Sequence, residues 1–255
     1  MTTTFDFQDG NGPVPAHQHP NGGGWVADTA TVDETAFVGP GARVYGNARI
    51  YGEAQVLGNA KVFGNAQVCG DAEVFDNAQI SGNARVSENA QISGNARASE
   101  NARIHGYAWV FGSAQIFGDA LVCGHAWVYG AAQVFGDAQA FDDARVYGDV
   151  RVTGDAQAFG YAEVCGDARV NKGRIVAGTH KKQPFTSRVG GWLATLSDRD
   201  HISIGCLSHT LSTWRSSLYA IAEEHNAVNA LEEAQAFLDE CEKRLAETLY
   251  EQIKE

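Results

Sequence analysis

Five cysteines, eight histidines and one short cationic run are the side chains best equipped for chemistry in this 255-residue chain. His17 and His19 form HQH, a spacing compatible with two metal ligands. No further Cys, His or carboxylate cluster adjoins them, and a zinc site normally uses three or four protein ligands, so a solvated loop is expected and no metal. Cys69, Cys123, Cys165, Cys206 and Cys241 are scattered without CxxC spacing. They signal neither a disulfide framework nor a zinc site and point to a reducing compartment. His105 and His125 are the histidines of the long central repeat, His105 on a flat face and His125 at a corner. They are the weak candidates for a general base, because a surface histidine inside a repeat is more often a neutral substitution. The most suggestive segment holds Lys172, Arg174, His180, Lys181, Lys182 and Arg188. Such a cluster can bind phosphate or another small anion, such as a nucleotide, with Arg supplying forked donors and Lys mobile point charges. The competing reading is a solvated loop, or one docked on acidic helices further along the chain. No cofactor is implied.

Those residues are set in an acidic chain of formal net charge −12, divided unevenly. Residues 1–25 carry −2, 26–170 carry −8, 171–209 carry +4 and 210–255 carry −6. The total disfavours nonspecific binding to a nucleic-acid backbone. No apolar stretch reaches membrane-spanning length, and MTTTFDFQDGNGP lacks the basic and apolar regions of a signal peptide, so a cytoplasmic protein is expected.

What positions the candidate groups is a repeat. From Val26 to Val170 one six-residue phrase recurs without insertion or deletion, as in VYGNAR, IYGEAQ, VLGNAK and VFGNAQ. An aliphatic residue opens each unit, with Ala98, Ala140 and Ala158 as smaller exceptions, and alanine follows four positions later, replaced once by Val150. In extended chain the alanine and the aliphatic residue two positions on share a face, and both are expected inside. Gly-Asn or Gly-Asp then turns a corner. A helix is excluded, since a period of six matches neither 3.6 nor 3.5 residues per turn and glycine recurs in nearly every unit.

This pattern resembles the hexapeptide-repeat, left-handed parallel β-helix family. The resemblance implies three hexads per triangular coil, hence about eight coils between Val26 and Arg169, and it supplies the left-handed winding. Many members are acyltransferases, usually trimeric, with active sites between subunits, a histidine base and a loop extruded from the coils. An acyltransferase using an acyl-coenzyme A donor is therefore one expectation. The unbroken register here leaves no extruded loop, and fold does not specify an activity. Laid on three faces, the outward residues make the third face the most apolar, with Phe75, Trp109, Phe111, Trp127, Tyr129 and Tyr147. A contiguous apolar patch marks an interface, and assembly as a homotrimer is expected, although aromatic ladders also stabilise a sheet surface.

The ends complete four expected regions: an irregular N-terminal cap over 1–25 with Trp25 closing the core, the β-helix over 26–170, a basic loop and hairpin over 171–209, and helices over 210–255. GRIVAG reads as one more strand, and WLATLS with HISIGC as a hairpin. The first helix is expected over about 212–225, N-capped by Ser212 or Thr213. The second, over about 228–253, aligns Leu231, Ala234, Leu238, Cys241, Leu245 and Leu249, a stripe suited to a bundle, a coiled coil or the prism itself. GGWLATLSDRDHISIGCLSHTLSTW resembles the C-terminal module of uncharacterised phage and prophage proteins. The reading that follows is a non-enzymatic oligomeric β-helix protein that binds a partner or sequesters a small anion, with the acyltransferase and a structural spacer as alternatives.

Overall fold

The computed structural model describes residues 3–180, 185–189, 192–196, 201–204, 207–224 and 227–254. Residues 26–170 wind as a β-solenoid of eight turns. Strands 18 residues apart pair in parallel, as in Arg49↔Gln67↔Arg85↔Arg103, so each face of the prism is a ladder of short strands. The aliphatic and alanine positions form one continuous buried core from Val26 to Ile175. The parity follows from strand geometry, because neighbouring side chains alternate between faces and the hexad keeps the apolar set on one of them.

From Gly46 onward the corners are turns in which the first central residue has positive φ. The backbone N–H of Ala60 donates to the carbonyl of Leu57 at 3.2 Å across Gly58, whose φ is 63°. Close stacking adds a second demand for glycine: a Cβ on Gly46 would lie 2.9 Å from the backbone nitrogen of Gly64. Four corners nevertheless carry an acid with positive φ, namely Asp76, Glu88, Glu100 and Asp142. Three of these carboxylates accept a bond from the glycine N–H one turn further on, Asp76 from Gly94 at 3.0 Å, Glu100 from Gly118 at 2.9 Å and Asp142 from Gly160 at 3.3 Å. A charge-assisted bond to the next turn thus offsets the strained backbone.

The N-terminal cap is not irregular. Strands Thr4–Asp6 and Pro13–Gln18 form an antiparallel hairpin that continues onto Trp25–Ala27. Trp25 does not plug the core. Val26 points inward, so its neighbour must point out, and the indole stacks on Phe5 at 4.4 Å on the outer surface. The first turn is closed instead by the loop of His19–Gly24, where Gly24 N–H donates to the Val38 carbonyl at 2.8 Å and Val38 N–H donates to that of Asn21 at 3.0 Å.

At the far end GRIVAG does form a strand, Arg174–His180, pairing with Gln157–Val164 after a register irregularity between Ala158 and Tyr161. Beyond it lies a four-stranded antiparallel sheet, Phe185–Val189, Trp192–Leu196, His201–Ile204 and Leu207–Thr210, where the sequence suggested one hairpin. Its outer strands, FTSRV and LSHT, are short and mostly polar, so they carry little periodic signal. Helices α1 (Leu211–Glu224) and α2 (Leu231–Lys254) follow. The N-cap of α1 is Thr210, whose hydroxyl accepts the Thr213 N–H at 3.2 Å, displacing the expected Ser212 or Thr213. Ala234, Phe237, Leu238 and Cys241 of α2 pack with Trp214, Ile202 and Ile204 in a second core. The α2 stripe therefore meets the chain's own small sheet. The Leu245 and Leu249 side chains lie outside the described residues.

Candidate functional site

The third face brings five of its six singled-out aromatics together. Phe111, Tyr129 and Tyr147 occupy the same position on successive turns and stack at 4.8 Å in both steps, with ring planes 2° and 6° apart. Beside them Trp109 meets Trp127 edge-to-face at 5.5 Å and Phe111 at 4.6 Å. Arg145 lies over the Trp127 ring at 5.3 Å and reaches Glu163 at 3.6 Å. Phe75 is separated from this group because the turn between it and Phe111 carries Ser93. Trp127 remains 37% exposed, and the Trp109 Nε1 is buried with no hydrogen-bond partner. The hydrogen bond with Cys165, and then burial, push the Tyr147 hydroxyl up to about 12.

An identical strand position on the first face has another fate. Tyr45 stacks between Phe7 and Phe63, both at 4.9 Å, under the N-terminal hairpin, and is only 8% exposed. Arg43 lies over Phe5 at 5.6 Å and donates to Gln8 Oε1 at 3.0 Å, so the hairpin is also tied down through a cation.

The cationic segment is only partly in view. Lys172 is exposed. The Arg174 guanidinium lies over Phe159 at 4.5 Å with its Nε buried and unpartnered, which makes this residue a clamp on the last turn as much as an anion donor. His180 and Arg188 sit in strands, but their side chains, like Lys181 and Lys182 altogether, lie outside the described residues.

The histidines do not converge. His105 Nδ1 is 3.8 Å from a Glu88 carboxylate oxygen, beyond hydrogen-bond distance. His125 stacks on Tyr107 at 5.1 Å at an exposed corner. In the HQH pair, His17 Nδ1 meets Asp28 at 2.9 Å, while buried His19 bonds the Asn21 carbonyl at 3.1 Å. Among the described residues no group of three or more His, Cys, Asp or Glu could hold a metal ion. No helix among them is long and apolar enough to cross a membrane.

The second face holds a feature that composition alone underrated. Arg85 and Arg103 are direct register partners on adjacent turns, both exposed, with Ser87 and His105 two residues along the same strands. An 18-residue spacing of like charges is the sequence signal that finds such a pair.

A family model described as the YdcK beta solenoid repeat matches residues 42–58, 78–90, 90–106 and 144–159. No curated protein matches the chain. Among solved structures, LpxA from Acinetobacter baumannii is similar at 17% identity and a TM-score of 0.35, over 64% of this chain and 70% of that one. At that distance the neighbour carries no functional argument.

Proposed function

We propose that this chain is a non-enzymatic, oligomeric β-solenoid that acts as a binding scaffold, its third face buried against other copies in a homotrimer. The observation that carries this reading is the open aromatic group around Trp109 and Trp127, next to a first face where the chain buries its own Tyr45. Trp127 is exposed and Trp109, Phe111, Tyr129 and Tyr147 around it are half-buried, and a contiguous aromatic surface of this kind suits association. The free thiols suit a reducing cytoplasm, and the likeness of the tail to phage and prophage modules suits a role inside a host cell. Lys172 and its cationic neighbours remain the first candidates for holding a small anion.

Sedimentation equilibrium at micromolar concentration tests the assembly: wild type sediments as a trimer and Trp127→Glu as a monomer. A monomeric wild type overturns it. The approach of His105 to Glu88 is the one feature that favours the acyltransferase alternative. Acyl transfer from an acyl-coenzyme A donor that is abolished by His105→Ala and retained by Trp127→Glu replaces the scaffold with that enzyme.

A further inference from the structure

A packed helix pair buries the side of each helix that meets the core, and the side turned away is normally polar. Between α1 and α2 it is not. A groove of about 610 Å³ opens there, lined by Leu218, Tyr219, Leu231 and Ala236, with Arg215 and Gln235 among its polar walls. Tyr219 is 62% exposed, and Leu218 and Leu231 are only half-buried. The second core draws Trp214, Ala234, Phe237 and Leu238 from the same two helices, and Tyr219, Leu231 and Ala236 take no part in it.

The two ends of the groove differ in charge. At one end Arg215 donates to Asp239 at 2.6 Å and to Glu242 at 2.8 Å, a bridge that ties α1 to α2 and leaves the guanidinium already answered. At the other end the last turn of α1 holds Glu223 and Glu224 with no basic residue, where the helix carbonyls already concentrate negative potential. Glu232 opens α2 at that same end. All three carboxylates are exposed, and none takes part in an ion pair among the described residues. A second copy fits poorly, because isologous contact sets the same carboxylates against each other.

We propose that the groove between α1 and α2 docks a basic amphipathic helix of another protein. Its apolar side chains, spaced as on one helix face, enter against Leu218, Tyr219 and Leu231, and lysine or arginine at one end meets Glu223, Glu224 and Glu232. The groove belongs to the C-terminal module and not to the third face of the prism, so docking does not depend on the scaffold assembling.

Fluorescence anisotropy with labelled amphipathic peptides of about 14 residues tests it, leucine and tryptophan forming one face and lysine and arginine the other. The full chain binds them saturably, and more weakly as salt rises. Peptides of the same composition with the apolar residues scattered, or with glutamate in place of the basic residues, bind at least about tenfold more weakly. Tyr219→Ala loses about tenfold, because an exposed aromatic that a partner covers is a dominant contact. Glu223→Gln/Glu232→Gln loses about fivefold and flattens the salt dependence. Asp137→Asn on the prism and Trp127→Glu on the third face leave binding unchanged, and sedimentation of the same samples reports the oligomeric state separately. Equal binding of the scattered peptides reduces the effect to charge attraction and overturns the groove, as does undiminished binding by Tyr219→Ala. Loss of self-association in Tyr219→Ala makes a second copy the occupant and overturns it too. So does a folded wild type that binds none of the peptides at high micromolar concentration.

Discussion

Tyr45 and Tyr129 occupy the same place in their hexads, yet one is sealed under a hairpin and the other lies in an open aromatic group. Both rings stack on the equivalent residue one turn away, at 4.9 and 4.8 Å, so the local geometry of the ladder is indifferent to what lies outside it. The repeat builds aromatic columns from its own spacing. Whether a column becomes core or interface depends on which non-repetitive segment reaches it.

The sharpest way to break this comparison is to damage what both columns share. Ala90→Asp places a charge in a dry corner of the common core and should destabilise by more than about 4 kcal/mol, whereas outward Ser81→Asp stays within about 0.5 kcal/mol. Urea unfolding followed by circular dichroism measures both. Next comes the cover itself. Phe7→Ala removes a ring that is 2% exposed and should cost about 3 kcal/mol. The loss should be local, with faster amide exchange in residues 4–18 and around Tyr45 while the inner turns keep their protection.

On the open column, Trp127→Ala should change monomer stability by less than about 1 kcal/mol and yet abolish assembly, an inversion of the Phe7 result that sedimentation equilibrium detects. The smallest effect is a titration. The Tyr147 hydroxyl ionises at about 12, held up first by its hydrogen bond with Cys165 and then by burial, above its ordinary value of 10.0. Because the folded value is the higher one, this contribution to stability is fully present below pH 10 and is lost as pH rises through about 12. Ultraviolet titration of Cys165→Ala should show the tyrosine moving back toward 10.0.

Much of the site was readable as position but not as surroundings. The hexad, wound three to a coil as the family resemblance implies, assigned Trp109, Trp127, Tyr129 and Tyr147 to one face, and their ring contacts follow from strand spacing. Phe75 shares that face but is separated from the group by Ser93, a consequence of counting turns. Arg174 read as a free cation, whereas the last strand brings it over Phe159. His17 and His19 read as a pair, whereas one meets Asp28 and the other the Asn21 carbonyl.

By itself the sequence determined the extent of the solenoid and which side chains face in, while its eight turns and the columns of outward residues followed from the three hexads per coil that the family resemblance implies. The inward and outward pattern is a nearest-neighbour property of a six-residue period, repeated until the buried Val, Ile and Ala leave no other register. Tertiary structure decided what has no period. It turned residues 4–18 into a hairpin over Tyr45, placed Trp25 outside, set Thr210 as the cap of α1, and packed Leu238 and Cys241 against Trp214 rather than against the prism. Those outcomes rest on single contacts between surfaces far apart in the chain, whose partners are selected by shape and burial in the folded molecule and leave no recurring mark in the residues that make them.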